Sequence, residues 1–244
     1  MPGLGTIVNV AAVIAGGLIG LLFGKKINEN IRVALMKVLG IAVIFVGITG
    51  ALSGLLVIVN GKITTYGTLM MIISLVVGTL IGELLKIESY LEKFGNWLKR
   101  KVDKKGDNGF VSAFVNTSLV ICVGAMAVVG SIQDGISADH SVLFAKALLD
   151  FLIVIIMSST LGFGSLFAFI PIGVFQGTLT AAAKLCEPLF AIGNVTGDLS
   201  LVGSVMIFCV GYNIAFGKKF NVGNMLPGLI VAVIYSLLTF YFGG

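Results

Sequence analysis

Residues 4–23 read LGTIVNVAAVIAGGLIGLLF, with no charged side chain among them. A helix of that length rises about 30 Å, the thickness of the bilayer hydrocarbon. Helix is also the open-chain structure that satisfies its own backbone hydrogen bonds in lipid. No positive residue precedes the stretch, and Lys25 and Lys26 follow it. It is therefore expected to remain as a membrane span and not to be removed as a signal peptide.

Outward from this stretch the pattern recurs. Apolar segments at 38–59, 66–86, 110–130, 142–161, 165–183, 199–216 and 225–242 bring the total to eight. The whole chain is 57% apolar and 11% charged, with a mean hydropathy of +1.10. A soluble chain carries roughly a quarter of its residues as Asp, Glu, Lys and Arg, so too little polar surface remains here to cover a body in water. The expected fold class is an all-α polytopic transmembrane bundle, with residues 1–244 forming one integral membrane domain because no Pro/Ser-rich linker divides them. Only Gly162, Phe163 and Gly164 separate the fifth and sixth segments, and Pro171 interrupts the sixth. Two plain spans, or broken or re-entrant helices, both fit that pattern.

The net charge of +5 is topological. With eight spans, Lys25, Lys26, Arg32, Lys37, Lys86, Lys93, Lys99, Arg100, Lys101, Lys104, Lys105, Lys218 and Lys219 fall on one side, and Lys62 lies opposite. Basic residues favour the cytoplasmic side. Both termini are then expected outside, the 87–108 connection inside, and the loop around Asp134, Asp139 and His140 outside. The charges flank spans and form no nucleic-acid reader motif. Apolar residues at helical spacing in two inner connections, Ile27, Ile31, Leu35 and Val38, then Ile87, Tyr90, Leu91, Phe94, Trp97 and Leu98, suggest interfacial helices or helical continuations packed on protein.

The chain also echoes itself. Gly5-Thr6, Gly16, Leu18-Ile19-Gly20 and Leu22 return as Gly67-Thr68, Gly78, Leu80-Ile81-Gly82 and Leu84, and Phe23 to Asn28 resembles Phe216 to Asn221. Internal repeats are common in transporters, although a Gly-rich span ending in lysines is also general membrane grammar. Small-residue stripes at Gly16, Gly20 and Gly24, at Gly78 and Gly82, and at Gly173 and Gly177 permit close helix approach, within the chain or in a homo-oligomer.

Chemistry is sought among polar residues that lipid makes costly. An ionised group at mid-bilayer costs at least about 2.5 kcal/mol on insertion scales, so it is paired or lines a wet cavity. Asp150 is the first candidate, with Lys146 one helical turn before it on the same face. Ser158, Ser159 and Thr160 follow, leading to the Gly162–Gly164 break, where unwound carbonyls can help bind a cation. Asn9, Asn116, Thr117, Ser118, Gln176, Tyr212 and Asn213 are further candidates to line a hydrophilic path. Glu83 and Lys184 lie near segment ends, where long side chains snorkel, and Asp198 marks a helix start. Cys122, Cys186 and Cys209 have neither disulfide nor zinc spacing and read as buried thiols.

Gly5-Thr6-Ile7-Val8-Asn9 with Ala15-Gly16-Gly17-Leu18-Ile19-Gly20, and Phe114-Val115-Asn116-Thr117-Ser118-Leu119 with Cys122-Val123-Gly124-Ala125-Met126, resemble the YqgA/YdfK-type bacterial membrane proteins, a domain-of-unknown-function family. Lys146-Ala147-Leu148-Leu149-Asp150, Gln176-Gly177-Thr178-Leu179-Thr180 and Asn224-Met225-Leu226-Pro227 fit the same pattern. The resemblance spans nearly the whole chain. It implies a multi-pass inner-membrane protein for which transport is suspected, and it carries over no substrate or catalytic residue.

Enzyme readings lack parts. Gly162-Phe163-Gly164-Ser165 has no nearby histidine or oxyanion donor, since His140 lies in a distant loop. An aspartyl protease needs two facing intramembrane aspartates, and phosphate-binding loops and HExxH are absent from the sequence. The expected function is a secondary carrier or channel for an ion or small polar solute, with Asp150 binding a cation or proton and no cofactor or resident metal. A non-transporting scaffold or sensor is the alternative, distinguished by a dry interior with Asp150 fully paired.

Overall fold

A computed structural model describes residues 1–24, 28–102, 109–122, 125–190 and 193–242. Lys25, Lys26, Ile27, Lys104, Lys105, Val123 and Gly124 lie outside these residues, as do the side chains of Arg32, Lys184 and Cys186. The helices are α1 (Leu4–Gly24), α2 (Glu29–Leu55), α3 (Thr68–Leu85), α4 (Ile87–Val102), α5 (Phe110–Cys122), α6 (Ala125–Ser137), α7 (Ser141–Leu161), α8 (Phe169–Phe190), α9 (Val195–Phe216), α10 (Val222–Met225) and α11 (Pro227–Phe242). A short hairpin, β1 (Leu56–Val59) and β2 (Lys62–Thr65), joins α2 to α3, and a 3-10 segment, Phe163–Ala168, joins α7 to α8.

Seven stretches among the described residues are long and apolar enough to cross a bilayer. The eighth segment read from sequence, 110–130, is divided into α5 and α6, and only α5 of the two is a continuous apolar helix. Long apolar faces point outward: Leu18 and Leu22 on α1, Ile72, Val76 and Leu80 on α3, and Ile230, Ile234 and Leu238 on α11 are all exposed. Lipid is the solvent that accepts such a surface.

Glycine sets the helix pairing. A Cβ on Gly16 would sit 2.6 Å from the Phe151 carbonyl oxygen, and one on Gly20 would meet the Ile155 carbonyl, so α1 lies against α7 backbone to backbone. With Gly5 opposite Leu143, the two helices run parallel. Helix α2 runs antiparallel along α9, with Gly40 at Ala215 and Gly54 at Leu201. Gly78 meets Gly228, and Gly82 meets Asn224, which makes α3 and α11 antiparallel. Intramolecular packing therefore fills these stripes at Gly16, Gly20, Gly78 and Gly82. The echoed glycines of α1 and α3 receive partners of opposite direction, so packing does not establish the internal repeat. Gly177 is different: a Cβ placed there would meet nothing within 4 Å among the described residues, and it opens on a shallow groove with Gly173, Val174, Thr178 and Ala181.

Several boundaries differ from the sequence reading, each for a local reason. Helix α2 begins at Glu29, where Asn28 accepts a hydrogen bond from the Asn30 amide, so Ile31, Leu35 and Val38 extend a membrane helix and form no separate interfacial one. It ends at Leu55, before a two-residue turn at Asn60 (φ 52°) and Gly61 (φ 75°), the Asn-Gly pairing that left-handed hairpin turns require. Lys86 (φ 54°) separates α3 from α4, which is a distinct amphipathic helix. One side of α4 packs on protein, with Leu98 buried and the Phe94 ring 5.8 Å from Phe114, while Tyr90 and Trp97 remain exposed. The break between the fifth and sixth segments falls at Gly162 (φ 93°), and Pro171 sits harmlessly in the first turn of α8, where no helical donor is needed.

Lys86, Lys93, Lys99, Arg100, Lys101, Lys218 and Lys219 gather where α3 and α9 end and α4 runs, and Lys62 is on the hairpin at the other end. Asp198 lies in the first turn of α9, as read from sequence. Asp134 does not lie in an exposed loop. It is a fully buried residue of α6, and His140 takes the N-cap position of α7.

Candidate functional site

The parallel contact of α1 with α7, closed by α8, brings four polar side chains together inside the membrane-spanning region. Lys146 precedes Asp150 by one turn, and its Nζ is 2.8 Å from the carboxylate. Both are buried, at 7% and 2% exposure. Asn9 enters from α1 and donates its Nδ2 to Asp150 Oδ2 at 3.0 Å and to Gln176 Oε1 of α8 at 3.3 Å. Asn9 and Gln176 have no exposed surface. The ion pair is internally neutral, as burial demands, and Cys122 at the end of α5 is within electrostatic reach of both charges.

The polar inventory of this cluster does not close. Asn9 Oδ1 and Gln176 Nε2 are buried without a hydrogen-bond partner among the described residues. An unsatisfied buried polar atom costs about 1–3 kcal/mol, and native structures hold few of them.

Other buried polar contacts continue toward both ends of the bundle. At the end where α1 begins, Asp134 accepts from the Gly3 and Gly5 amides at 3.1 and 3.2 Å and lies 2.7 Å from His140 Nδ1. It thereby caps α1, whose N-terminal amides have no helical partner. One step deeper, the Thr6 and Thr180 hydroxyls are 3.5 Å apart. Toward the basic end, Thr117 donates to Ser165 at 2.9 Å, tying α5 to the 3-10 segment. Beyond it opens a cavity of about 510 Å³ among α4, α5, α9 and α10, lined in part by Glu88, Glu92, Ser112, Asn116, Asn213 and Lys218.

The candidates read from sequence therefore separate into groups. Asn9, Lys146, Asp150 and Gln176 are one cluster. Ser158 and Ser159 lie about 12 Å further along α7, at 1.5 Å per residue, and do not join it. Ser159 donates to the Ile156 carbonyl, and Ser158 Oγ is buried against Gly20 without a hydrogen-bond partner among the described residues. The Gly162 break is further still from Asp150, and the Gly162 carbonyl accepts from the Ser165 amide, so the break adds no carbonyl to Asp150. Asn116 and Asn213 line the basic-end cavity. Asn213 has a structural task there: its Oδ1 accepts from the Lys219 and Phe220 amides and its Nδ2 donates to the Phe220 carbonyl, which holds the turn after α9. Ser118 donates to its own helix at Phe114, and Tyr212 packs on Phe216 and Phe220.

Two features escaped the sequence reading. Asp134 stands near the end of a helix rich in small residues, and nothing local distinguishes a solvated aspartate from one capping a helix distant in sequence. Glu88 is buried at the start of α4; it accepts from the Gly223 amide at 3.1 Å and pairs with Lys218 at 2.6 Å, while its own amide donates to Asn224 Oδ1 at 2.7 Å. Its signal was faint: an acidic residue in a first helical turn, with Lys218 far off in sequence.

Among known proteins, the chain is 30% identical over 237 residues, 96% of each chain, to "Uncharacterized protein YqgA" of Escherichia coli (strain K12). It is 26% identical over 239 residues, 98% of each, to "Uncharacterized membrane protein YdfK" of Bacillus subtilis (strain 168). No solved structure matches it. The family described as "Protein of unknown function (DUF554)" matches residues 4–237. With that match over nearly its whole length and the apolar helices already described, the chain is a multi-helix membrane protein that belongs to the DUF554 family.

Proposed function

We propose that the protein is a transport protein, a secondary carrier or channel for an ion or a small polar solute, in which the Asn9, Lys146, Asp150 and Gln176 cluster is the passage point and Asp150 the pivotal carboxylate. One observation carries the reading. Lys146 and Asp150 are charged residues buried within a membrane helix, and such residues are costly there and are functional more often than not. Their position between the Asp134–His140 end and the basic-end cavity supports a route through the bundle. The gathering of lysines at one end supports termini outside and α4 inside, in the inner membrane of a bacterial cell. We assign no enzymatic chemistry to the cluster, which pairs its one carboxylate with a lysine and lacks a nucleophile with a base.

The second reading, a non-transporting scaffold or sensor, draws on the same pair: Asp150 is already engaged by Lys146 and Asn9, as a purely structural residue would be. A thermal-shift screen of the purified protein across ions and small metabolites separates the two, because a bound ligand raises stability by mass action. Transport predicts a selective shift that Asp150→Asn with Lys146→Met abolishes. A shift for no compound across the screen, with no flux in proteoliposomes, favours the scaffold.

A further inference from the structure

The orientations of two amides define the chemistry of what the cluster can receive, an inference that rests on the transport reading above. Asp150, paired with Lys146, is a carboxylate and only accepts, so Asn9 must present its Nδ2 to it. That same Nδ2 is 3.3 Å from Gln176, which must then present Oε1, since the opposite orientation would set two N–H donors against each other. Both amides are thereby oriented by a chain of bonds that begins at the ion pair. What remains is one acceptor, Asn9 Oδ1, and one donor, Gln176 Nε2, both buried and both without a hydrogen-bond partner among the described residues. Each belongs to an amide engaged in the Asn9–Gln176 bond, so both flank that one contact.

We infer that this amide pair is the binding element of the site, and that its ligand is an uncharged group able to donate and accept a hydrogen bond at once, a hydroxyl, a carboxamide or water. A metal cation is accepted by Asn9 Oδ1 and repelled by the Gln176 N–H, and the closed Lys146–Asp150 pair adds no net charge to hold it. An anion is accepted by Gln176 Nε2 and repelled by Asn9 Oδ1, again with no net charge from the pair to hold it. A neutral donor and acceptor satisfies both atoms and leaves the Lys146–Asp150 pair closed. Asp150 acts on the ligand through Asn9 and is a positioning residue here.

Proteoliposomes of the full chain test this. Entry of water, glycerol and urea is followed by stopped-flow light scattering, and entry of sodium, potassium and protons by indicator dyes trapped inside. The comparison set is wild type, Gln176→Met, Asn9→Leu and the lipid-facing control Val174→Leu, each checked for monodisperse elution and a cooperative unfolding transition. We expect at least one neutral probe to enter wild-type vesicles several-fold faster than protein-free ones, with Val174→Leu equal to wild type. Gln176→Met keeps the Asn9–Asp150 bond and should lower the excess rate by about tenfold, the rate equivalent of one hydrogen bond. Excess entry of water alone identifies a water path, and entry of glycerol or urea a solute path; either supports the neutral class. Cation entry through wild-type protein without neutral entry overturns that class and leaves the transport reading standing. No entry of any probe through folded wild-type protein overturns both, and because this comparison needs no variant, a variant that fails to fold does not rescue the inference.

Discussion

Asn9 on α1 and Asp150 on α7 meet inside the bundle with Nδ2 3.0 Å from Oδ2, although 141 positions separate them in the chain. Their meeting is possible because Gly16 and Gly20 bring α1 onto the carbonyls of Phe151 and Ile155, close enough for one short amide to span the gap. The polar contact and the glycine contact are therefore parts of one interface. Loosening either should disturb the other.

Replacing Asp150 by Asn leaves the Lys146 ammonium buried and unpaired. Losing one partner of a buried pair costs about 3–5 kcal/mol, so Asp150→Asn should lower the unfolding transition in detergent by that order. Lys146→Met combined with Asp150→Asn removes both charges and should recover most of the loss. A double variant as unstable as the single one would show that Asp150 serves the fold through Asn9 more than through Lys146. If the double variant is stable and still transports at the wild-type rate, Asp150 has no part in transport.

Gly82 and Gly177 are both helical glycines, yet they should respond oppositely to alanine. Gly82 abuts the Asn224 backbone of α10, and a Cβ there forces α3 away from α10 and α11. Overpacking of this kind costs about 1–3 kcal/mol or more. A Cβ at Gly177 would meet nothing within 4 Å among the described residues, so Gly177→Ala should be neutral or stabilising by up to about 1 kcal/mol through helix propensity. Unfolding midpoints of the two variants decide this directly. A marked loss on Gly177→Ala would mean that a partner occupies the α8 groove in the assembled protein.

Orientation can be read by cysteine labelling. A thiol introduced at Lys101, near the end of α4, should resist a membrane-impermeant maleimide applied outside intact cells. One at Lys62, in the exposed hairpin, should react. Reaction at Lys101 with protection at Lys62 would invert the proposed topology.

The contact between α4 and the turn after α9 should weaken at high pH. Glu88, 2.6 Å from the Lys218 ammonium, holds that lysine above its ordinary range, chiefly through its hydrogen bond, with Glu92 adding to the effect and partial burial opposing it. A raised pKa in the folded state contributes stability that is fully present below the ordinary lysine value of about 10.4 and is lost as pH climbs through the higher folded value. The difference in unfolding temperature between wild type and Lys218→Met should therefore stay constant through neutral pH and shrink above about 10.4. More than half of the Lys218 side chain is exposed, so screening keeps the difference small. A difference undiminished at pH values where lysine is neutral would assign it to packing.

What the sequence determined by itself follows from one-dimensional physics. Span length, apolar content and the gathering of lysines are local counts, because a bilayer acts on each segment separately; the all-α class and seven of the eight apolar segments were readable for that reason. Lys146 and Asp150 were also readable as a pair, since one helical turn places them on the same face. The tertiary structure decided what depends on segments meeting. Only packing shows that α1 lies parallel to α7, that Asn9 and Gln176 join Asp150, and that Ser158, Ser159, Asn116 and Asn213 do not. Only packing shows Asp134 as the cap of α1. The physical reason lies in the glycines. A Gly-rich stripe states that some backbone will come close and leaves open which one, because a surface without side chains has no chemical feature by which to name its partner.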